Sequence, residues 1–378
     1  GVYMVSRLSP MFEFSVPAMS MILVLGSATC FFMGLIGIVQ MDIKRVIAYS
    51  TLSQLGYMMA GEGASAFSLG LFHLMTHASF KALLFLAAGS VILGMHHEQD
   101  MRKMGGLRKY MPVTYICFLV GALSLAAIPP FSGFYSKDLI IEAVQHCNFP
   151  GAEIATFFVV GGAMVTALYT FRMFFMVFHG ETRMSDEAKS HMKESPVSVL
   201  IPLIALAIPA FAAGFMFFGP LTHHFFQNDL FLFPRNDVIA VFAKDYPSAW
   251  AFLVHSFTTL PFWLAIFGIF IMWLSYVAYP KLPELFTSMF KSTYLTVGNK
   301  FFVDDIYDYF LTKPFHKLSN IFWFVGDHLM IDGVLVNGSA RAMRFIGRAV
   351  GSLQTGYIYQ YAFVMLIGLI VILIAVIF

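Results

Sequence analysis

The chain has 378 residues, of which 59% are hydrophobic, 17% aromatic and 12% charged, with 43 Phe, 24 Met and a formal net charge of +2; its mean hydropathy is +0.77. A soluble globular domain carries about a quarter charged residues, so this composition excludes a water-soluble fold, and the same hydrophobicity excludes intrinsic disorder. The small net charge gives no footing for nucleic acid, and Cys30, Cys117 and Cys147 are too widely spaced for a disulfide framework, a zinc site or an iron–sulfur site. The chain reads as an all-α polytopic membrane protein.

A spanning helix needs about 20 mostly apolar residues. GVYMVSR at 1–7 reads as the tail of a span already under way, so the chain is expected to begin within a longer protein. Spans are predicted at about 18–40, 45–61, 66–94, 112–146, 152–178, 196–218, 250–279 and 357–378. The second contains YSTLSQLGYMM, too polar to face lipid, and belongs inside the bundle. Lys and Arg in alternate loops set the orientation. Lys44, Arg45, Arg102, Lys103, Arg108, Lys109, Arg183, Lys189 and Lys193 lie on one side, against Arg7, Arg235 and Lys244 on the other. The first side is expected to be cytoplasmic, or the matrix side in an organelle. Segment 280–356 falls on it and is not a span. From Lys300 to Leu353 it is amphipathic, with Asp304, Asp305 and Asp308 early and Arg341, Arg344 and Arg348 late, as suits a helix macrodipole. Pro314, Gly333 and Gly338 predict two or three helical pieces there. Asn337-Gly338-Ser339 matches a glycosylation sequon by chance, given that side.

The informative residues are ionisable groups inside spans. In LFHLMTHASFKALLFLAAG, His73, His77 and Lys81 stand at i, i+4 and i+8, one stripe of a helix. A charge at the bilayer centre costs roughly 2.5–3.5 kcal/mol on insertion scales. One histidine in a span is most simply a hydrogen-bonded core residue; three ionisable groups on one face are hard to explain as packing. No carboxylate lies near them in sequence and Lys81 repels cations, which speaks against a metal site. In ALSLAAIPPFSGFYSKDLIIEA, Pro129 and Pro130 interrupt an otherwise apolar helix, and Lys137-Asp138 follow within two turns. Broken helices at membrane depth persist only where protein or a wet cavity satisfies the freed backbone, and they are typical of ion sites in transporters. The plain alternative is a proline loop with an interfacial lysine. Arg172 is expected to snorkel to the interface, and Lys44 and Arg45, which open a span, need no explanation from these residues alone beyond positive-inside anchoring.

Such a stripe suits proton relay. Burial disfavours a charged ammonium, so a charge arriving or leaving nearby tips a lysine between its two forms, and a histidine bridges between lysines. Moving one charge through 100 mV takes about 2.3 kcal/mol. The energy must come from outside, because the chain has no Walker A loop, no strand-linked GxGxxG and no cysteine cluster.

QMDIKRVIAYSTLSQLGYM (40–58), LFHLMTHASFKALLFLAAGSVI (71–92), HHEQDMRKMGGLRK (96–109), GFYSKD (133–138) and ALYTFRMFFMVFHG (167–180) closely resemble one family. It is the antiporter-like membrane subunits of respiratory complex I, the proton-pumping NADH:quinone oxidoreductase, and within it the largest, chain L / chain 5 type. The resemblance implies an antiporter-like helix bundle with a discontinuous helix, then a long lateral amphipathic helix and a C-terminal anchor. The chain looks like the C-terminal part of such a subunit. By that division, 1–218 is the second half-channel, 219–279 a loop and further span, 280–356 the lateral helix and 357–378 the anchor. The resemblance makes Lys81 the central relay lysine, places His73 and His77 along the connecting axis, and makes Lys137 the terminal protonation site with Asp138 gating or tuning it. Lys44 is assigned to the same axis. The family's first half-channel, with its glutamate–lysine pair, is not among these residues. The implied cofactors (FMN, iron–sulfur clusters, NADH and quinone) sit on other subunits, and none is bound by this chain. Implied partners are other complex I membrane subunits, above all sister antiporter-like subunits against the lateral helix, and lipids, but no nucleic acid. The expected location is a bacterial inner membrane, or else the mitochondrial inner membrane. The competing reading is the large subunit of a multi-subunit Na+/H+ antiporter, which shares His73, His77, Lys81 and Lys137 but continues well past the last span. A membrane scaffold with 280–356 as a clamp is a third.

Overall fold

The computed structural model describes residues 1–184, 189, 192–223, 225–226 and 229–378; the side chains of 221–223, 241 and 243–245, Lys244 among them, lie outside the described residues. Those residues fall into two units, Gly1–Phe301 and Phe302–Phe378. Among them the β pairing is a single isolated bridge, Asp42 with Asp100.

In the first unit, short helices α1 (Val2–Arg7) and α2 (Ser9–Glu13) lead into α3 (Val16–Val39). Ser15 caps α3 by accepting from Ala18 N at 3.4 Å, and Asp42 caps α4 (Ile43–Gly63) by accepting from Arg45 N at 3.0 Å. Side-chain caps of this kind satisfy amide groups that a helix start leaves open. α4 is buried despite its polar sequence because α3 meets it at backbone contact: a Cβ on Gly56 would lie 2.4 Å from Cys30 N. Small residues that let backbones approach are the usual device for packing helices in lipid. Next come α5 (Phe67–Gly94), α6 (Pro112–Leu125), α7 (Ser132–Gln145), α8 (Ala152–Phe178) and α9 (Val197–His223). After α10 (Val238–Asp245), α11 (Ala249–Ser256) and α12 (Leu260–Trp273), a π-helical turn at Leu274–Ala278 leads to α13 (Leu282–Met289) and α14 (Lys291–Gly298). The span expected over 250–279 is thus two helices, since Thr259 starts a new helix with Pro261 in its first turn, where proline is favoured.

Among the described residues, six helices are long and apolar enough to cross a membrane: Val16–Val39, Phe67–Gly94, Ala152–Phe178, Val197–Pro220, Leu260–Ala278 and Ile358–Ile377. Their outward faces are apolar, as with Ile201, Ile208 and Phe211 on α9, which is what a lipid solvent demands. Short links alternate the helix directions, so one end of the bundle gathers residues 40–42, 95–111 and 179–184, and the other gathers 8–15, 64–66 and 146–151. At the first end, Gly106 N donates to His179 O at 3.0 Å and Arg183 Nε to Arg102 O at 2.9 Å. At the second, Phe231 N donates to Ser9 Oγ at 3.0 Å and Asn236 Nδ2 to Glu13 Oε2 at 2.8 Å.

The second unit is a helical run from Val303 to Gly351, then α18 (Ile358–Ile377). Its α-helical pieces are α15 (Val303–Tyr307), α16 (Lys313–Phe322) and α17 (Asn337–Gly351), joined by π-helical stretches Asp308–Thr312 and Trp323–Val336. Pro314 and Gly333 therefore do not break the run. The stretch ahead of Pro314 widens to π pairing, and such widening absorbs residues that an α-helix cannot take in register. Lys313 Nζ pairs with Asp308 Oδ2 at 3.2 Å across it.

Candidate functional site

α5 turns its polar stripe inward: His73, His77 and Lys81 are all buried. Helix α4 supplies partners to His73 and Lys81. His73 Nε2 lies 3.0 Å from Gln54 Oε1, and its Nδ1 lies 2.8 Å from Ser136 Oγ on α7. Thr76 Oγ1 is 2.8 Å from the same Ser136 hydroxyl. A neutral ring is satisfied with Nε2–H donating to Gln54 and the Ser136 O–H donating to Nδ1. A protonated ring is satisfied as well, once the Ser136 hydroxyl turns to donate to Thr76, because a hydroxyl rotates to suit. Either charge state of His73 is thus accommodated without moving a heavy atom. Lys81 Nζ donates to Ile47 O at 3.2 Å and to Ser50 Oγ. Between them, His77 packs edge-on to Phe80 at 5.3 Å between ring centroids and 6.0 Å from His73. Its Nε2 has no hydrogen-bond partner among the described residues.

α7 begins after the Pro129-Pro130 break, and Gly133 allows the turn. A Cβ there would meet Ser124 O at 1.9 Å, while Gly133 N donates to Ser124 Oγ at 3.0 Å. Ser132 Oγ donates to Ala210 O on α9 at 2.7 Å. Freed polar groups at the break are therefore satisfied by protein, as depth in a membrane requires. Lys137 is completely buried, and its ammonium sits 4.6 Å from the centroid of the Tyr57 ring. Among the described residues it has no hydrogen-bond partner. Tyr57 OH is itself engaged, donating to Val159 O at 2.7 Å. Asp138 follows, also buried. The result is a row of buried lysines and histidines, from Lys81 along α5 to His73 and across the Ser136 hydroxyl to the helix of Lys137.

The loop at the Lys44 end is clasped by two exposed pairs, Lys103 Nζ to Glu98 Oε2 at 2.5 Å and Arg102 Nη2 to Asp100 Oδ2 at 2.6 Å. The Lys103 ammonium beside Glu98 and the Arg102 guanidinium beside Asp100 hold these carboxyls below their ordinary range. Among the described residues, no three His, Cys, Asp or Glu side chains gather as a metal site.

Of the residues singled out from sequence, His73, His77, Lys81, Lys137 and Asp138 are all buried in the bundle. Lys44 is not brought to them: it is exposed in the first turn of α4, while Ile47 and Ser50 of the next turns reach Lys81. Arg172 corrects a second expectation. It does not snorkel but is buried, donating to Gln40 O at 2.6 Å and to Tyr276 OH at 3.0 Å, so it ties α8 to the end of α3 and to the turn after α12. Sequence reasoning missed Ser50, Gln54 and Tyr57. Their spacing of i, i+4 and i+7 on a polar helix marks one face.

The profile of the family described as NADH:quinone oxidoreductase/Mrp antiporter, TM, matches residues 1–166. The chain is 45% identical over 391 aligned residues to NADH-quinone oxidoreductase subunit L of Neisseria meningitidis serogroup A, covering 99% of this chain and 58% of the relative. It is 38% identical to NADH-ubiquinone oxidoreductase chain 5 of Marchantia polymorpha, covering 98% of this chain and 55% of that one. A solved membrane-bound sulfane sulfur reductase, an archaeal respiratory membrane complex, has a chain 33% identical with a TM-score of 0.47, covering 51% of this chain and 31% of that one. The helical bundle is that of an antiporter-like membrane subunit. Over nearly its whole length the chain is similar to subunit L / chain 5 of such complexes, and it spans a little over half the length of the curated relatives it matches.

Proposed function

We propose that the chain carries protons through the membrane arm of an NADH:quinone oxidoreductase and contributes no redox centre of its own. The observation that carries this reading is the buried row itself: Lys81, His77, His73 and Lys137 lie on two facing helices, which the Ser136 hydroxyl links at His73, and the hydrogen bonds of His73 serve either of its charge states. Holding such groups away from water costs stability, and reversible protonation is the chemistry that justifies it. Lys81 acts as the central relay and Lys137 as the terminal site. His73 and His77 connect them, and Asp138 tunes the Lys137 ammonium. The names of the relatives support the parent activity. FMN, iron–sulfur clusters, NADH and quinone then belong to other subunits.

In the same reading, 1–218 forms a half-channel, 280–356 runs laterally against sister antiporter-like subunits, and 357–378 anchors it. The Lys44 end faces the cytoplasm of a bacterial inner membrane, with a mitochondrial matrix as the other setting. The test is gentle detergent extraction, a native gel and an in-gel stain for NADH oxidation, with an antibody to this chain. Co-migration with a large NADH-oxidising band is expected. Migration in a smaller complex without that activity assigns the same residues to a gradient-driven Na+/H+ antiporter instead.

A further inference from the structure

The buried polar line on α7 does not stop at Asp138. Glu142 stands at i+4 from it, a rise of about 6 Å toward the C-terminal end of the helix, and is nearly buried. Its Oε1 lies 3.5 Å from Nε2 of His255 on α11, where the imidazole is 41% exposed and the carboxylate 11%. Tyr246 lies against the His255 ring, 5.0 Å between centroids, and Phe252 covers Phe134 of α7 at 5.2 Å. α11 thus closes the side of α7 with aromatic rings and leaves the histidine as an open polar point. This junction is at the end of the bundle where α7 passes into residues 146–151, opposite the Lys44 end.

We propose that Glu142 and His255 form the outlet by which protons leave Lys137 for the face opposite Lys44. The inference rests on the relay reading above. The Lys137 ammonium gives up one N–H proton through water and Asp138. The Glu142 carboxylate gains that proton as an O–H, and the O–H bond then breaks as an N–H forms on His255 Nε2. The imidazolium releases one proton to bulk water and is neutral again. Asp138, Glu142 and His255 end as they began, one proton has moved outward, and Lys137 is left as the neutral amine until the relay from Lys81 reprotonates it. A separation of 3.5 Å is within the range that such pairs show before they tighten in use.

The test uses the intact complex in membrane vesicles, with proton yield per NADH oxidised as the readout. Glu142→Gln keeps the shape but cannot take up a proton; its yield is expected to fall as far as that of Lys137→Ala. Glu142→Asp keeps a carboxyl and is expected to retain more of it, which a purely structural role would not predict. An unchanged yield in Glu142→Gln beside a loss in Lys137→Ala overturns the outlet and leaves the relay standing. Unchanged yields in both overturn the relay and the outlet together. A second variant, His255→Cys, changes a partly exposed side chain, and Cys30, Cys117 and Cys147 are buried. The variant itself is expected to lower the yield, and a membrane-impermeant maleimide is expected to label it from the face opposite NADH oxidation. Labelling from the NADH face, or an unchanged yield in the variant, overturns the proposal.

Discussion

Lys137→Met should make the protein more stable while removing its function. The ammonium is completely buried and has no hydrogen-bond partner among the described residues, so its attractive contacts reduce to the Tyr57 ring at 4.6 Å and its neighbour Asp138. Removing one ion from water costs several kcal/mol after relaxation, and a desolvated cation–π contact returns about 2 kcal/mol. Methionine fills nearly the same volume without a charge. Asp138 loses a neighbouring cation, which subtracts from the gain, and the net expectation is a stabilisation of about 1–3 kcal/mol. Lys81→Met is the control: Lys81 has Ile47 O and Ser50 as acceptors, so its replacement should gain less. The assay heats purified complex in detergent and follows the midpoint at which this chain leaves the soluble fraction. A midpoint lowered in Lys137→Met, or raised more in Lys81→Met, would refute the reasoning, since Lys137 would then be holding the helices together.

Ser136→Ala removes the hydroxyl that both His73 and Thr76 meet at 2.8 Å; the loss of stability should be about 1–3 kcal/mol, with a slower pumping rate at unchanged assembly, read from vesicle acidification. Arg172→Ala leaves Gln40 O and Tyr276 OH without their buried cation, and a thermal midpoint lowered by the equivalent of about 1.5–3 kcal/mol is expected. The clasp of Glu98 with Lys103 and Asp100 with Arg102 has depressed carboxyl pKa values in the folded protein, so its contribution is full above the ordinary carboxylate range and is lost as pH falls through the folded values. The protection of amides in residues 96–106, relative to the unfolded-chain exchange rate at each pH, should therefore fall in acid and in high salt, and protection indifferent to both would show that the pairs hold nothing. Interrupting 300–356 should weaken assembly or pumping, and a fully pumping complex without that segment would exclude a coupling role for it.

Much of this architecture is legible in the chain because lipid imposes a length on every crossing helix. α3, α5, α8 and α9 fall where runs of apolar residues do, and the two prolines mark the break before α7. The His73–Lys81 stripe is equally readable, since ionisable groups have no bland reason to share one face in a membrane. Its partners are less so: Ser50, Gln54 and Tyr57 share a face by spacing, but that face could be assigned to α5 and α7 only once the helices were packed. Arg172 misleads because a position near a span end fits snorkelling as well as it fits a tertiary partner, and the Gln40 carbonyl that decides the matter comes from another helix. Lys44 misleads in the other sense. It is close in sequence to Ile47 and Ser50 yet turned to the outside of the same helix. The link from Glu142 to His255 joins segments far apart in sequence, and no local pattern announces it.

The most direct test is the number of protons moved per NADH oxidised in vesicles whose complex carries Lys81→Ala or Lys137→Ala, with assembly verified on a native gel. A relay through the buried row requires the yield to fall in both variants while the complex still forms. A normal yield in both would mean that the buried lysines carry no protons.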